Sequence, residues 1–230
     1  MANPVQHAKT VISLVRQQTN EAILFYSGGK DSLALLDLIA PQFDRVVCVF
    51  MYFVKDLEHI NKFLKVIERY PSAELLQTPH FVLSTVYREG MFCVPDKSMP
   101  KTDLKKVRAK VQAETGIDWV FMGMKQSDSL HRRLMLRGYR EQAICDASTT
   151  AYPLSLWKKG EVLAYLKHRK LPMPIDYGIK SNSSGLVFDA RVFNYLRTNY
   201  PKDLEKIYAK FPLSQQILFE YDRATNEVPD

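Results

Sequence analysis

Residues 25–38 read FYSGGKDSLALLDL, and this stretch constrains the fold more than any other. The apolar run AILFY at 22–26 has the character of a buried strand. Two glycines, a lysine, an aspartate and a serine follow, and then residues 33–40 return at once to an apolar helical pattern that Pro41 stops. A strand turning this tightly into a helix is a unit of an α/β sheet. The rest of the chain repeats the alternation. Residues 45–53 (RVVCVFMYF) and 119–122 (WVFM) read as central strands, with short strand candidates at 74–77 and 81–83. Helical spacing marks 4–18, 56–70, 102–115 and 157–169, with Gly116 as a stop signal, and most of 189–219. The expected architecture is a parallel twisted sheet flanked by helices on both faces, carrying a helical C-terminal extension. The expected division is an α/β domain over 1–190, its N-terminal helix included, and an extension over 191–230. That extension has the pattern to cover the sheet, close over a site or join two subunits in a homo-oligomer.

Ligands of such sheets sit at the carboxyl ends of the strands. The turn Ser27-Gly28-Gly29-Lys30-Asp31-Ser32 falls there, at a helix N-terminus, where unpaired amides and the helix dipole favour an anion. Glycines let the backbone come close to a phosphate, Ser27 and Ser32 offer hydroxyls, and Lys30 brings a mobile positive charge. Asp31 is the odd member, since a carboxylate repels phosphate. It reads either as a Mg²⁺ ligand or as a helix cap. The turn is not a Walker A loop, because Leu24 stands where that pattern needs glycine.

SGGKDS resembles the PP-loop of the adenine nucleotide alpha-hydrolase superfamily, and its lysine spelling is closest to the phosphoadenosine phosphosulfate (PAPS) reductase branch. Two further segments carry the likeness. Residues 123–129 (GMKQSDS), with Arg132 and Arg133, are similar to the branch's Gly-x-Arg…Glu-Ser…Arg stretch. Residues 152–157 (YPLSLW), then Val162, Tyr165-Leu166, Leu171-Pro172 and Tyr177-Gly178, follow its Pro-Leu-x-x-Trp stretch. The resemblance implies ATP or PAPS as ligand, with phosphates on residues 27–32 and the adenine beside Phe50, Met51 and Tyr52. It implies a phosphate- or sulfate-binding rim from Gly123, Lys125, Arg132 and Arg133. Lys30, Asp31 and Lys125 are the implied catalytic groups, and Mg²⁺ on Asp31 the implied metal. Lys125 stands where the family usually has arginine, which keeps the charge and loses the bidentate fork. His131 reads as a surface histidine.

One part of the family pattern is missing. Reductases of the branch attack sulfur with a cysteine near the C-terminus, but no cysteine follows Cys145, and Ser184-Gly185-Leu186 stands where relatives carry Ser-x-Gly-Cys. That removes the thiolate chemistry and the ligands of an iron–sulfur cluster. Cys48 is expected to be buried in its strand, while Cys93 and Cys145 are candidates for exposure. The remaining chemistry is nucleotide chemistry: cleavage of ATP between its α- and β-phosphates with adenylyl transfer to an acceptor, or sulfonucleotide binding. The alternatives are a PAPS reductase using an atypical cysteine and a protein that binds or modifies nucleic acid. The latter draws on a formal net charge of +7 and the basic run KTDLKKVRAK at 101–110. Three unpaired cysteines, no signal-like start and no membrane-length apolar run point to the cytoplasm and no membrane partner.

Overall fold

The computed structural model describes residues 3–175 and 187–226. Tyr177, Gly178 and residues 184–186, named above, lie outside the described residues. The described residues fall into two compact units: one from 3–50, 63–78 and 109–174, the other from 51–62, 79–108, 175 and 187–226.

The first unit holds the body of a six-stranded sheet in the order β3-β2-β1-β4-β6-β5. Its strands are β1 (Glu21–Phe25), β2 (Arg45–Tyr52), β3 (Ala73–Pro79), β4 (Val120–Phe121), β5 (Ile144–Cys145) and β6 (Thr150–Ala151). Both neighbours of β1 run parallel to it, Leu24 facing Cys48 on β2 and Phe121 on β4. β6 runs parallel to β4, and the edge strand β5 is antiparallel to β6. The central strands are near-continuous apolar runs because helices flank the sheet: Ala22, Ile23 and Leu24 of β1 and residues 46–50 of β2 are all buried.

α1 (Pro4–Arg16) turns Ala8, Val11, Ile12 and Val15 inward and is capped by the side chain of Asn3. α2 (Lys30–Ile39) ends in a short 3-10 turn, Ala40–Gln42, that contains Pro41. α7 (Lys159–His168) packs against α2, with Val162 and Leu166 buried. The Trp157 indole donates to the carbonyl of Pro4 at 3.0 Å, which ties the start of α1 to the segment before α7. α5 (Leu104–Thr115) stops at Gly116, which adopts φ +72° as a helix-terminating glycine does.

The second unit contains the first turn of α3 (Glu58–Leu64), α4 (Leu83–Glu89), α8 (Ala190–Asn199), α9 (Pro201–Lys210) and α10 (Gln216–Asn226). Two expectations are corrected here. The helix expected over 56–70 begins at Glu58 and ends at Leu64, with a separate 3-10 turn at Ile67–Arg69. Asp56 sits at φ +58°, and the buried Asp203 carboxylate takes the amides of Glu58 and His59 at 2.8 and 2.9 Å, capping α3 from α9. Asp203 also holds the His59 ring, Nδ1 to Oδ2, at 2.8 Å. The strand expected at 81–83 is a turn into α4. The His80 ring nitrogen accepts from the Val82 amide at 3.2 Å, and the Ser84 hydroxyl donates to the Phe81 carbonyl at 3.0 Å. The interior of this unit is aromatic: Phe188 stacks on Phe92 at 4.6 Å and meets Phe211 edge-on at 5.1 Å. No helix among the described residues is long and apolar enough to cross a membrane.

Candidate phosphate site at the carboxyl end of the sheet

The turn after β1 lies at the carboxyl edge of the three parallel central strands. Gly28 has φ +72°, and a Cβ there would meet the Phe63 Cβ at 3.2 Å, so both conformation and space call for glycine. Gly29 is the N-cap of α2 and no side chain caps the helix. The first-turn amides of α2 therefore keep no capping side chain. The serines organise the turn internally. Ser27 Oγ accepts from the Gly29 amide at 3.3 Å and sits 3.2 Å from Ser32 Oγ, whose hydroxyl donates to the Gly29 carbonyl at 2.9 Å. Tyr26, just before the turn, is anchored by its hydroxyl on the Phe63 carbonyl at 2.6 Å.

Five charged side chains of alternating sign run from this turn to the first turn of α6 (Leu130–Arg137). Lys30 Nζ meets Asp31 Oδ2 at 2.8 Å, and Asp31 Oδ1 meets Lys125 Nζ at 2.8 Å. Lys125 Nζ also meets Asp128 Oδ1 at 2.9 Å, and Asp128 Oδ2 takes Arg132 Nη1 at 2.9 Å. Burial pushes the Asp128 carboxyl up, but hydrogen bonds and charge from Lys125, with Arg132, outweigh it and hold the group below the ordinary carboxylate range. Asp31 corrects one of the two readings drawn from the sequence. It does not cap α2, because its carboxylate is engaged by two ammonium groups. Its Oδ1 is buried beside the Lys125 ammonium without a hydrogen-bond partner among the described residues, which contain no group of three His, Cys, Asp or Glu side chains placed to hold a metal.

Gly123 supplies the close approach that brings these elements together. A Cβ there would lie 3.1 Å from Asp31 Cβ and 3.4 Å from the Asp31 carbonyl carbon. Gly123→Val is expected to push the end of β4 off the first turn of α2, with a stability loss of about 1–3 kcal/mol as for other overpacked sites. Thermal unfolding beside wild type checks it, and an unchanged midpoint refutes the tight contact.

The remaining expected residues scatter by degree. Phe50 is buried at the end of β2, next to Val49, whose carbonyl accepts from the Tyr26 amide at 2.9 Å. Met51 and Tyr52 are the next two residues of the strand and are half-buried. Arg133 and His131 are exposed on α6, where Ser129 caps the helix by accepting the Arg132 amide. Cys48 is buried as expected, its thiol pushed up to about 12 by burial first and then by Glu74. Cys93 is not exposed: it is buried against the Val86 carbonyl, and burial pushes its thiol up. Cys145 is half-buried on β5.

Sequence reasoning missed two side chains. Asp128 belongs to the quoted GMKQSDS stretch, yet its hold on Lys125 appears only in three dimensions. Asp37 is buried on α2 and accepts hydrogen bonds from Tyr70, Tyr165 and both Nε and Nη2 of Arg169 at 2.5–3.1 Å. A lone acid inside the apolar run LALLDLIA was the available signal. Asp37, Tyr165 and Arg169 line an open groove of ≈ 920 Å³ between α1, α2 and α7. It contains none of residues 27–32 or 123–133, so it lies apart from the glycine turn.

A mostly parallel sheet whose first strand turns through SGGKDS into a helix N-terminus, backed by two buried lysines, defines a PP-loop protein. The chain belongs to the phosphoadenosine phosphosulfate reductase domain family, whose model matches residues 21–175. No curated protein matches it. Among solved structures it is similar to the U34-tRNA thiolase NcsA from Methanococcus maripaludis, with 14% identity, TM-score 0.44, and 97% of this chain and 80% of that one covered. It is also similar to the NH3-dependent NAD synthetase from Campylobacter jejuni subsp. jejuni NCTC 11168, with 12% identity, TM-score 0.46, and 100% and 99% covered. At these values neither neighbour's ligand carries over to this chain.

Proposed function

We propose that this PP-loop protein binds an adenine nucleotide on residues 27–32 and cleaves ATP between its α- and β-phosphates, passing the adenylate to an acceptor. A sulfonucleotide is the alternative ligand of the same site. The reading is carried by one observation: two buried lysines, Lys30 and Lys125, converge on the Asp31 carboxylate at the uncapped N-terminus of α2. An arriving polyphosphate competes with Asp31 for both ammonium groups while the helix amides take its oxygens. Catalysis then consists of positioning and charge neutralisation, with the acceptor supplying the nucleophile to the α-phosphorus and pyrophosphate leaving. Phe50, Met51 and Tyr52 flank the adenine, and Gly123, Arg132 and Arg133 form the rim. Magnesium enters this reading with the nucleotide, on its phosphate oxygens, and Asp31 is the residue that would hold it once the two ammonium groups turn to phosphate. On the same reading residues 1–190 carry the nucleotide chemistry in the cytoplasm, and 191–230 extend it.

Calorimetric titration with ATP and with PAPS, and a pyrophosphate assay with candidate acceptors, test the proposal. Binding of one nucleotide is expected, and failure of both to bind at millimolar concentration removes it. The reductase alternative is the weaker one, because burial raises the Cys48 and Cys93 thiols away from the reactive thiolate form. Sulfite release from PAPS with thioredoxin, lost in Cys145→Ser, would reinstate it. A nucleic acid as acceptor has the exposed Lys105, Lys106 and Lys110 of α5 in its favour, and would bind with affinity falling steeply as salt is added.

A further inference from the structure

We propose that Asp128 is a positioning residue that aims the Lys125 ammonium at the phosphates of the bound nucleotide, an inference that rests on the nucleotide reading above. Lys125 is 2% exposed, and a lysine stem has many rotamers, so something must select one. Asp128 does this from both ends of the residue. Its Oδ2 accepts the Lys125 backbone amide at 2.9 Å, and its Oδ1 meets the Lys125 ammonium at 2.9 Å. The Asp128 amide donates in turn to the Lys125 carbonyl at 3.1 Å, closing a small ring around the lysine.

The ring is itself held rigid. Gln126 donates its amide to the Ser155 carbonyl at 2.8 Å, and the Ser127 hydroxyl donates to the Trp157 carbonyl at 2.9 Å. Arg132 braces the second carboxylate oxygen from the first turn of α6. Lys125 therefore has two carboxylate neighbours with different fates. Asp31 lies on the phosphate-binding turn and gives up the ammonium when phosphate arrives. Asp128 lies on the α6 side and keeps hold of it. A lysine released by Asp31 but not by Asp128 stays where the phosphates need it, with its orienting cost already met before binding.

The alternative is that Asp128 only staples the loop. A double-mutant cycle on ATP affinity separates the two. Asp128→Asn retains an oxygen for the backbone amide and loses the charge. It is expected to weaken ATP binding roughly tenfold, within the coupling range for residues in contact. In a Lys125→Ala background the same change is expected to have almost no further effect. Equal losses in both backgrounds, or no loss in either, overturn the proposal while leaving nucleotide binding intact. If Asp128→Asn does not fold, Asp128→Glu replaces it: affinity close to wild type is expected, and a loss as large as that of Lys125→Ala refutes the role. If wild type binds neither ATP nor PAPS, the nucleotide reading falls and this proposal with it.

Discussion

Replacing Lys30 with alanine is expected to lower pyrophosphate release from ATP by about 10²–10³-fold, the loss seen when one preorganised charge-stabilising donor is removed. Lys30 is the first residue of α2 and is nearly buried, so its ammonium acts in a poorly screened environment beside the helix N-terminus. The loss is bounded because Lys125 and the amides of the turn remain. Asp31→Ala is also expected to lower turnover strongly, for a different reason: Lys30 loses the carboxylate that holds its ammonium at the turn before the nucleotide arrives, while Asp128 still holds Lys125. Stability distinguishes chemistry from unfolding. In Lys30→Ala the Asp31 carboxylate keeps its contact with Lys125, so the unfolding midpoint should move little. Steady-state rates with ATP and a melt on the same preparation check both statements. Turnover unchanged in both variants removes the roles assigned to residues 30 and 31.

The turn was legible because its information is local. A strand, two glycines and a helix start are read within a few residues, and Gly28 and Gly116 occupy the positive-φ positions that such punctuation implies. Pro41 marked the end of α2 for the same reason. The missed parts depend on pairing across the chain. Nothing near Asp31 indicates that Lys125 will reach it, so a carboxylate beside a phosphate turn read as a metal ligand or a cap. α6 escaped notice because its apolar residues do not report burial: Leu130 and Leu134 are 67% and 63% exposed, and only Leu136 is buried. β5 and β6 are each two residues long, too short for alternation to register. The start of α3 was misplaced because its cap, Asp203, comes from a helix far along the sequence.

Those long-range contacts also fix the helix that carries the candidate site. α2 is held near its beginning by Asp31–Lys125 and near its end by Asp37, which is 4% exposed and meets Arg169 at 2.8 Å. Asp37→Ala is expected to destabilise the protein by about 3 kcal/mol, the lower end of the range for breaking a buried ion pair. The lower end applies because Arg169 is 49% exposed and recovers water when its partner is removed. The two tyrosines do not recover so easily. Burial, and then the bond to Asp37, raises the pKa of both Tyr70 and Tyr165, so each is a neutral hydroxyl whose acceptor disappears. For a chain of this size the change corresponds to a drop in Tm of roughly 6–12 °C.

The pH dependence has a defined sign. Burial raises the Asp37 carboxyl, but bonds from Arg169, Tyr165 and Tyr70 outweigh it and leave the folded value below the ordinary one. The folded state therefore resists protonation that the unfolded chain accepts near pH ~3.9. The stabilisation is fully present above that value and is lost as pH falls through the lower, folded value. The Tm gap between wild type and Asp37→Asn should be constant from neutral pH down to about 5 and should close in stronger acid. A gap that is absent at neutral pH, or one that widens on acidification, would show that Asp37 does not hold α2 in place.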